Sequence, residues 1–213
     1  MPQQDWIRAN LFAIVMQACY YMGALHLAAD YVHRETGTSY RSFFEGMITF
    51  LLRRDCPTGA VLRRFRDLFA AFADGKMPLY DYQPDCGDMT WFAEEGLFLE
   101  IAKAPTVFYE DVLAYAAQVI PSDIAEELLR YQALMLFTPS KSEEPVRFRW
   151  DFDAYFSNPQ NTPENRPISV SVRQNATYGS LPEYAREIVW YKRKFGGTIC
   201  NTDNSDITVQ RIG

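Results

Sequence analysis

Both histidines of this chain fall in one short stretch, HLAADYVH at residues 26–33, with Asp30 between them. On a helix His26, Asp30 and His33 lie within about 60° of one another, on one face over two turns. His26 and Asp30, four apart, have a metal-ligand spacing, and His33 lies one further turn on. Such a site needs another ligand from elsewhere, and the sequence holds no HExxH or ExxH companion. The same residues have a structural use. Asp30 can orient one imidazole through a hydrogen bond while all three close the polar edge of a mostly apolar helix. That is the expectation, with no metal bound.

A second constellation is basic. RRDCPTGAVLRRFR packs Arg53, Arg54, Arg63, Arg64 and Arg66 into a short span. Guanidinium forks suit a phosphate or carboxylate ligand. They also suit a solvated face paired with the acids Asp81, Asp85, Asp88, Glu94 and Glu95, and the salt-bridged face is the expectation. Asp151 and Asp153 sit two apart in WDFDAYF, on one face of an expected strand, and read as solvent-facing rather than as a catalytic pair. The loop YDYQPDCGD lacks the alternating oxygen ligands and terminal glutamate of a calcium loop. GxSxG, Walker and GxGxxG motifs are missing, so the sequence displays no self-contained catalytic motif.

These residues need elements to hold them. Apolar periodicity predicts a first helix from about Gln4 to Arg34, bent near Gly23 and stopped at Gly37, a position for a left-handed cap. Ser39 caps a second helix, and a third enters through Pro57 and ends at Gly75. After a turn-rich loop at 77–88, Thr90 is expected to cap a helix, and two short helices follow, APTVFYEDVLAYAAQVI and PSDIAEELLRYQALMLF. Beyond Pro139 the pattern changes to alternation. VRFRWDFDAYF and ISVSVRQN read as strands, LPEYAREIVWYKRKFGG as an amphipathic helix stopped by Gly196 and Gly197, and ITVQRI as a last strand. The expected fold is α+β and mainly α: a helical body over 1–139 and a small α+β part over 140–213 with an antiparallel sheet, packed as one unit.

Composition sets the outer limits. The chain has 213 residues, of which 48% are hydrophobic and 15% aromatic, enough to bury a core. A net charge of −6 disfavours nucleic acid as a general partner. Cys19, Cys56, Cys86 and Cys200 are scattered, with no CxxC and no CxxxCxxC. MPQQDWIRAN lacks the basic start and apolar run of a secretory signal, so the expectation is cytoplasmic with reduced thiols, and the NAT sequon at Asn175 is not expected to be used. Residues 11–29 are long enough to span a bilayer and carry no formal charge, but Gln17, His26, the alanines and the neighbouring Asp30 favour a core helix.

WIRANLFAIVMQACYYMGALHLAADYVHRETGTSYRSFFEGMITFLL, DIAEELLRYQALML and PEYAREIVWYKRKFGG resemble parts of the helical region that follows the catalytic barrel in some cobalamin-dependent radical SAM enzymes. The resemblance implies an accessory domain that covers the substrate side of a partner barrel. It places S-adenosylmethionine, the iron–sulfur cluster and cobalamin on that partner or on a missing domain. This chain lacks the three clustered cysteines such a centre needs, and no residue carries over as catalytic. Two other readings stand beside it. One is a free-standing helical binding protein that holds a peptide or apolar ligand in an aromatic groove, drawing on Tyr20, Tyr21, Phe43, Phe44, Trp91, Phe92, Trp190 and Tyr191. The other is a hydrolase or metalloenzyme organised around His26 and His33.

Overall fold

A computed structural model describes residues 1–139, 142–174, 178–192 and 207–212. The fold is α+β and mainly α. α1 (Gln3–Val15) runs into a π-helical turn (Met16–Tyr21), and α2 (His26–Thr36), α3 (Tyr40–Leu52) and α4 (Pro57–Ala73) follow. A two-stranded ribbon, β1 (Asp81–Tyr82) with β2 (Thr90–Trp91), leads to α5 (Ala93–Lys103), α6 (Pro105–Ala116) and α7 (Ser122–Met135). Then come β3 (Val146–Phe148), α8 (Phe152–Ser157), β4 (Ile168–Gln174), the short α9 (Leu181–Tyr184) with a π-helical continuation to Lys192, and β5 (Ile207–Ile212). β4 is the centre of an antiparallel sheet in the order β3-β4-β5, with Val170 opposite both Val146 and Arg211.

The expected punctuation holds at α2, α3 and α4. Gly37 takes φ +71° and donates to the His33 carbonyl at 3.0 Å, a left-handed stop that costs glycine no Cβ clash. The Ser39 hydroxyl accepts from the Ser42 N–H at 3.1 Å, and Pro57 opens α4 where its missing N–H costs nothing.

The first helix is broken where a bend was expected. A π turn, in which Met22 N–H reaches back to the Gln17 carbonyl at 2.8 Å, precedes the break, and Gly23 takes φ +92°. α2 sets off at 94° to the preceding helix. Leu25 at its N-cap offers no side-chain acceptor, so the orphan donors are satisfied from a distance. Gln132 of α7, fully buried, accepts from the N–H of Leu27 at 2.8 Å and of Ala28 at 3.3 Å, and donates to the Gly23 carbonyl at 2.9 Å. Tyr109 of α6 donates to the Ala24 carbonyl at 2.8 Å. One buried amide and one phenol thus close the break. No single helix among the described residues is long and apolar enough to cross a membrane; the two arms pass such a test only as a bent pair, by length and composition alone.

Two expectations are corrected. Thr90 is a strand residue, and α5 begins after Phe92, whose N–H is taken by the Glu95 carboxylate at 3.2 Å. VRFRWDFDAYF is a strand only as far as Phe148 and turns helical at Phe152. The cause is Asp151, which is buried rather than solvent-facing. It accepts from the Ala154 N–H at 2.9 Å as an N-cap and binds the guanidiniums of Arg166 and Arg211. Asp153 stays closer to the surface and pairs with Arg211 at 2.9 Å. Asn175, Gly196, Gly197 and Cys200 lie outside the described residues.

The C-terminal part packs on the helical body through charged grips around apolar contacts. Arg34 of α2 lies 3.8 Å over the Tyr155 ring and donates to the carbonyls of Pro159 at 3.1 Å and Asn161 at 2.7 Å. Glu127 of α7 accepts from Arg149 Nε at 2.9 Å and from its backbone N–H at 2.7 Å. Tyr184, fully buried, donates to the Phe137 carbonyl at 2.8 Å.

Candidate ligand-binding groove

α1 crosses α4 on an aromatic hinge, with Trp6 stacked on Phe72 at 5.8 Å and edge-on to Phe69 at 6.1 Å. α3 lies beside this pair and is fixed to α6 by the Tyr115 hydroxyl, which donates to the Phe43 carbonyl at 2.9 Å. That hydroxyl passes against Gly46, where a methyl group would overlap it, so α3 and α6 approach closely because residue 46 has no side chain.

An open groove of about 920 Å³ follows, lined from α1, α3, α4 and α6. Its floor is apolar, with Ile7, Leu11 and Ile48 buried and Phe12, Phe50 and Leu52 half-buried. The rim carries Arg8, Arg53, Arg54 and Arg66, against Asp5 and Glu45. Every described lining residue sits on a helix or at a helix end, the rigid kind of support a binding site needs.

The structure divides the basic stretch in two. Arg63 donates to the carbonyls of Leu52 at 3.1 Å and Arg54 at 2.8 Å, closing the C-terminus of α3. Arg64 binds Asp81, as a salt-bridged face requires, and Glu100 at 3.2 Å. Arg53, Arg54 and Arg66 remain on the groove. Of the other acids in the expected face, Asp85 pairs with Lys103 at 3.0 Å and Asp88 accepts from the Tyr82 hydroxyl at 2.9 Å. Glu95 is buried as the α5 capping carboxylate. Arg8, Phe12 and Tyr115 escaped sequence reasoning because they come from separate helices and share no motif.

His26, Asp30 and His33 do share a helix face, yet they act separately. Asp30 accepts from the Tyr20 hydroxyl at 3.1 Å, not from an imidazole. His33 donates from Nδ1 to the Thr38 carbonyl at 3.0 Å and lies against the Tyr40 ring at 4.6 Å. His26 meets the Tyr20 ring edge-on at 6.3 Å, and its Nδ1 is buried without a hydrogen-bond partner. Among the described residues no group of three His, Cys, Asp or Glu could hold a metal ion. Burial lowers the His26 pKa from its ordinary 6.5, and Asp30 opposes the shift only in part. A histidine held neutral in the fold contributes stability that is full above 6.5 and is lost as pH falls through its lowered value. His26→Leu should flatten the acid limb of a stability–pH curve just below 6.5; an unchanged limb would contradict the buried neutral ring.

No protein-family model matches this chain, and no curated protein matches it. Its function therefore has to be argued from its own surfaces.

None of the described aromatic side chains expected to line a groove lies in the one between α1, α3 and α4, and Tyr20 packs against His26 and Tyr40 instead. Phe43, Phe44 and Trp91 are core residues, Tyr21 and Phe92 are exposed away from the groove, and the side chains of Trp190 and Tyr191 lie outside the description. A second groove, of about 740 Å³, lies between α6, α7 and the residues Thr138, Ser142 and Glu144; among the described lining residues it carries Glu110, Glu126 and Glu144 with Arg130. One of its walls is a loop, whereas the first groove is walled by helices.

Proposed function

We propose that this chain is a binding module and that the groove between α1, α3 and α4 holds an apolar ligand. The observation that supports this reading is the apolar floor itself, open to solvent and framed by rigid helices, with a volume of about 920 Å³ in the range of small-molecule sites. Thr49, exposed on the α3 wall, gives a test that spares the core. N-phenyl-1-naphthylamine, a neutral apolar fluorophore, should bind the full chain with enhanced emission. Thr49→Trp, which fills the groove, should reduce that binding at least about tenfold, the equivalent of ~1.4 kcal/mol, with unchanged thermal stability. Equal binding by both proteins would rule the groove out.

A second reading is favoured by the three stretches that resemble the helical region of cobalamin-dependent radical SAM enzymes, which fall in α1–α3, in α7 and at α9 with its continuation. In that reading the module covers the open end of a partner barrel, adds to its substrate pocket and excludes water from reactive intermediates. S-adenosylmethionine, the cluster and cobalamin then belong to the partner. Among the described residues Cys19, Cys56 and Cys86 belong to no group of three His, Cys, Asp or Glu that could hold a metal ion. Co-expression with a barrel protein encoded beside this chain, followed by size-exclusion chromatography, tests the reading. Co-elution supports it, and separate elution counts against it.

A further inference from the structure

At the C-terminal end of α3 the groove carries two guanidiniums, Arg53 and Arg54, that form no ion pair among the described residues. Arg63, not Arg53 or Arg54, closes the α3 carbonyls, so capping does not account for them. Arg54 lies 5.0 Å over the ring of Phe50, another lining residue. Arg53 is exposed on the same rim and has no protein partner among the described residues. Two of the other charges of the groove are paired. Arg66 pairs with Asp67 at 2.8 Å, and Glu45 pairs with Arg41 at 3.0 Å. Asp5 and Arg8 lie one helical turn apart on α1 and form no ion pair among the described residues. Glu45 is eight residues from Arg53 along α3, ~12 Å, so it does not neutralise that end. Asp55, next in the chain, does not line the groove.

We infer that the ligand of this groove is a single-chain apolar molecule ending in a carboxylate, its body along the α3 wall and its carboxylate between Arg53 and Arg54. The inference rests on the binding reading above and names the ligand class for it. The lining follows α3 from Ser42 to Leu52, ~15 Å of helix, and continues to Arg53 and Arg54, so the site is elongated with these two guanidiniums at one end. A carboxylate matches the guanidinium fork, and an alkyl body matches Ile7, Leu11 and Ile48. A volume of about 920 Å³ suits a small amphiphile rather than a folded partner.

The test is displacement of N-phenyl-1-naphthylamine from the full chain by octanoate, decanoate and dodecanoate, with 1-dodecanol as the neutral control and dodecyltrimethylammonium as the cationic one, all below their micellar concentrations. The carboxylates should displace the probe with affinities that rise about threefold to fourfold per buried methylene. Dodecanol should bind at least about tenfold more weakly than dodecanoate, and the cation more weakly still. The double substitution of Arg53→Gln with Arg54→Gln should bring dodecanoate down to the affinity of dodecanol while leaving dodecanol unchanged. Since dodecanol reports the intact groove, that pair of readings separates lost recognition from lost folding. Arg53→Lys with Arg54→Lys, which keeps the charge without the fork, should restore part of the preference. Equal affinity of dodecanoate and dodecanol in the unaltered protein, or a preference that survives the double substitution to Gln, overturns the carboxylate inference and leaves the groove reading standing. Loss of the groove reading has its own signature: no probe binding, or binding that Thr49→Trp does not touch.

Discussion

Gln132→Leu is expected to be among the most destabilising single substitutions in this chain, at about 3–5 kcal/mol, since a near-isosteric apolar side chain keeps the volume and strands the polar groups around it. Three backbone groups depend on that one amide: the N–H groups of Leu27 and Ala28 and the carbonyl of Gly23. All lie at a helix break, where no intrahelical partner can replace it. The position is fully buried, so water cannot serve either. Gln132→Glu keeps an acceptor for Leu27 and Ala28 but replaces the donor with a carboxylate oxygen set against the Gly23 carbonyl, and should cost at least as much near neutral pH. Chemical denaturation followed by circular dichroism measures both. A loss below about 1 kcal/mol for Gln132→Leu would mean that the break is held by something other than this amide.

Asp151→Ala is the second large effect, at about 3 kcal/mol. Asp151 has no exposed side-chain surface, while its partners Arg166 and Arg211 are 56% and 44% exposed. Solvent screens those two pairings, and the expected cost is set below that of a fully buried ion pair for that reason. Roughly 1 kcal/mol of it is the N-cap to Ala154, which Asp151→Asn keeps. The asparagine variant should therefore lie about 1 kcal/mol closer to the unaltered protein. Burial acts to raise the pKa of Asp151, but the Ala154 N–H and the two guanidiniums outweigh it and hold the group below its ordinary 3.8. A carboxylate lowered in this way contributes stability that is complete above 3.8 and is lost as pH falls through the folded-state value. Acid unfolding of Asp151→Asn should lack that component. Parallel acid limbs in the two proteins would show that Asp151 does not keep its charge in the fold.

These two residues also mark where the sequence stopped being readable. Ser39, Gly37 and Pro57 act on their own neighbours within four residues, so their effect is visible in a local window. The strand β4 is legible because one face is covered and the alternation is undisturbed. Gln132 reaches its partners 104 to 109 positions away, and nothing in its own helix signals that task. VRFRWDFDAYF alternates as a strand should, yet Asp151 converts its second half to helix through arginines at 166 and 211. Local pattern lost to long-range polar satisfaction in both places.

The candidate site was half legible for the same reason. Charge density in RRDCPTGAVLRRFR is a sequence property, and Arg53, Arg54 and Arg66 do reach one rim. Which arginines stay available is decided by geometry, through the α3 carbonyls that take Arg63 and the Asp81 carboxylate that takes Arg64. The floor comes from α1 and α3 together, and two of the aromatic residues expected to line a groove, Phe43 and Phe44, are buried in the core instead. Large aromatic side chains bury wherever a helix face is enclosed, so abundance alone does not locate a pocket.

The most direct measurement is a crystal structure of the full chain grown with dodecanoate. One alkyl chain is expected to lie against Leu11 and Ile48, with its carboxylate within hydrogen-bonding distance of Arg53 and Arg54. Density for the ligand in the acidic groove between α6 and α7, or a helix-walled groove that stays empty at saturating ligand, would contradict it.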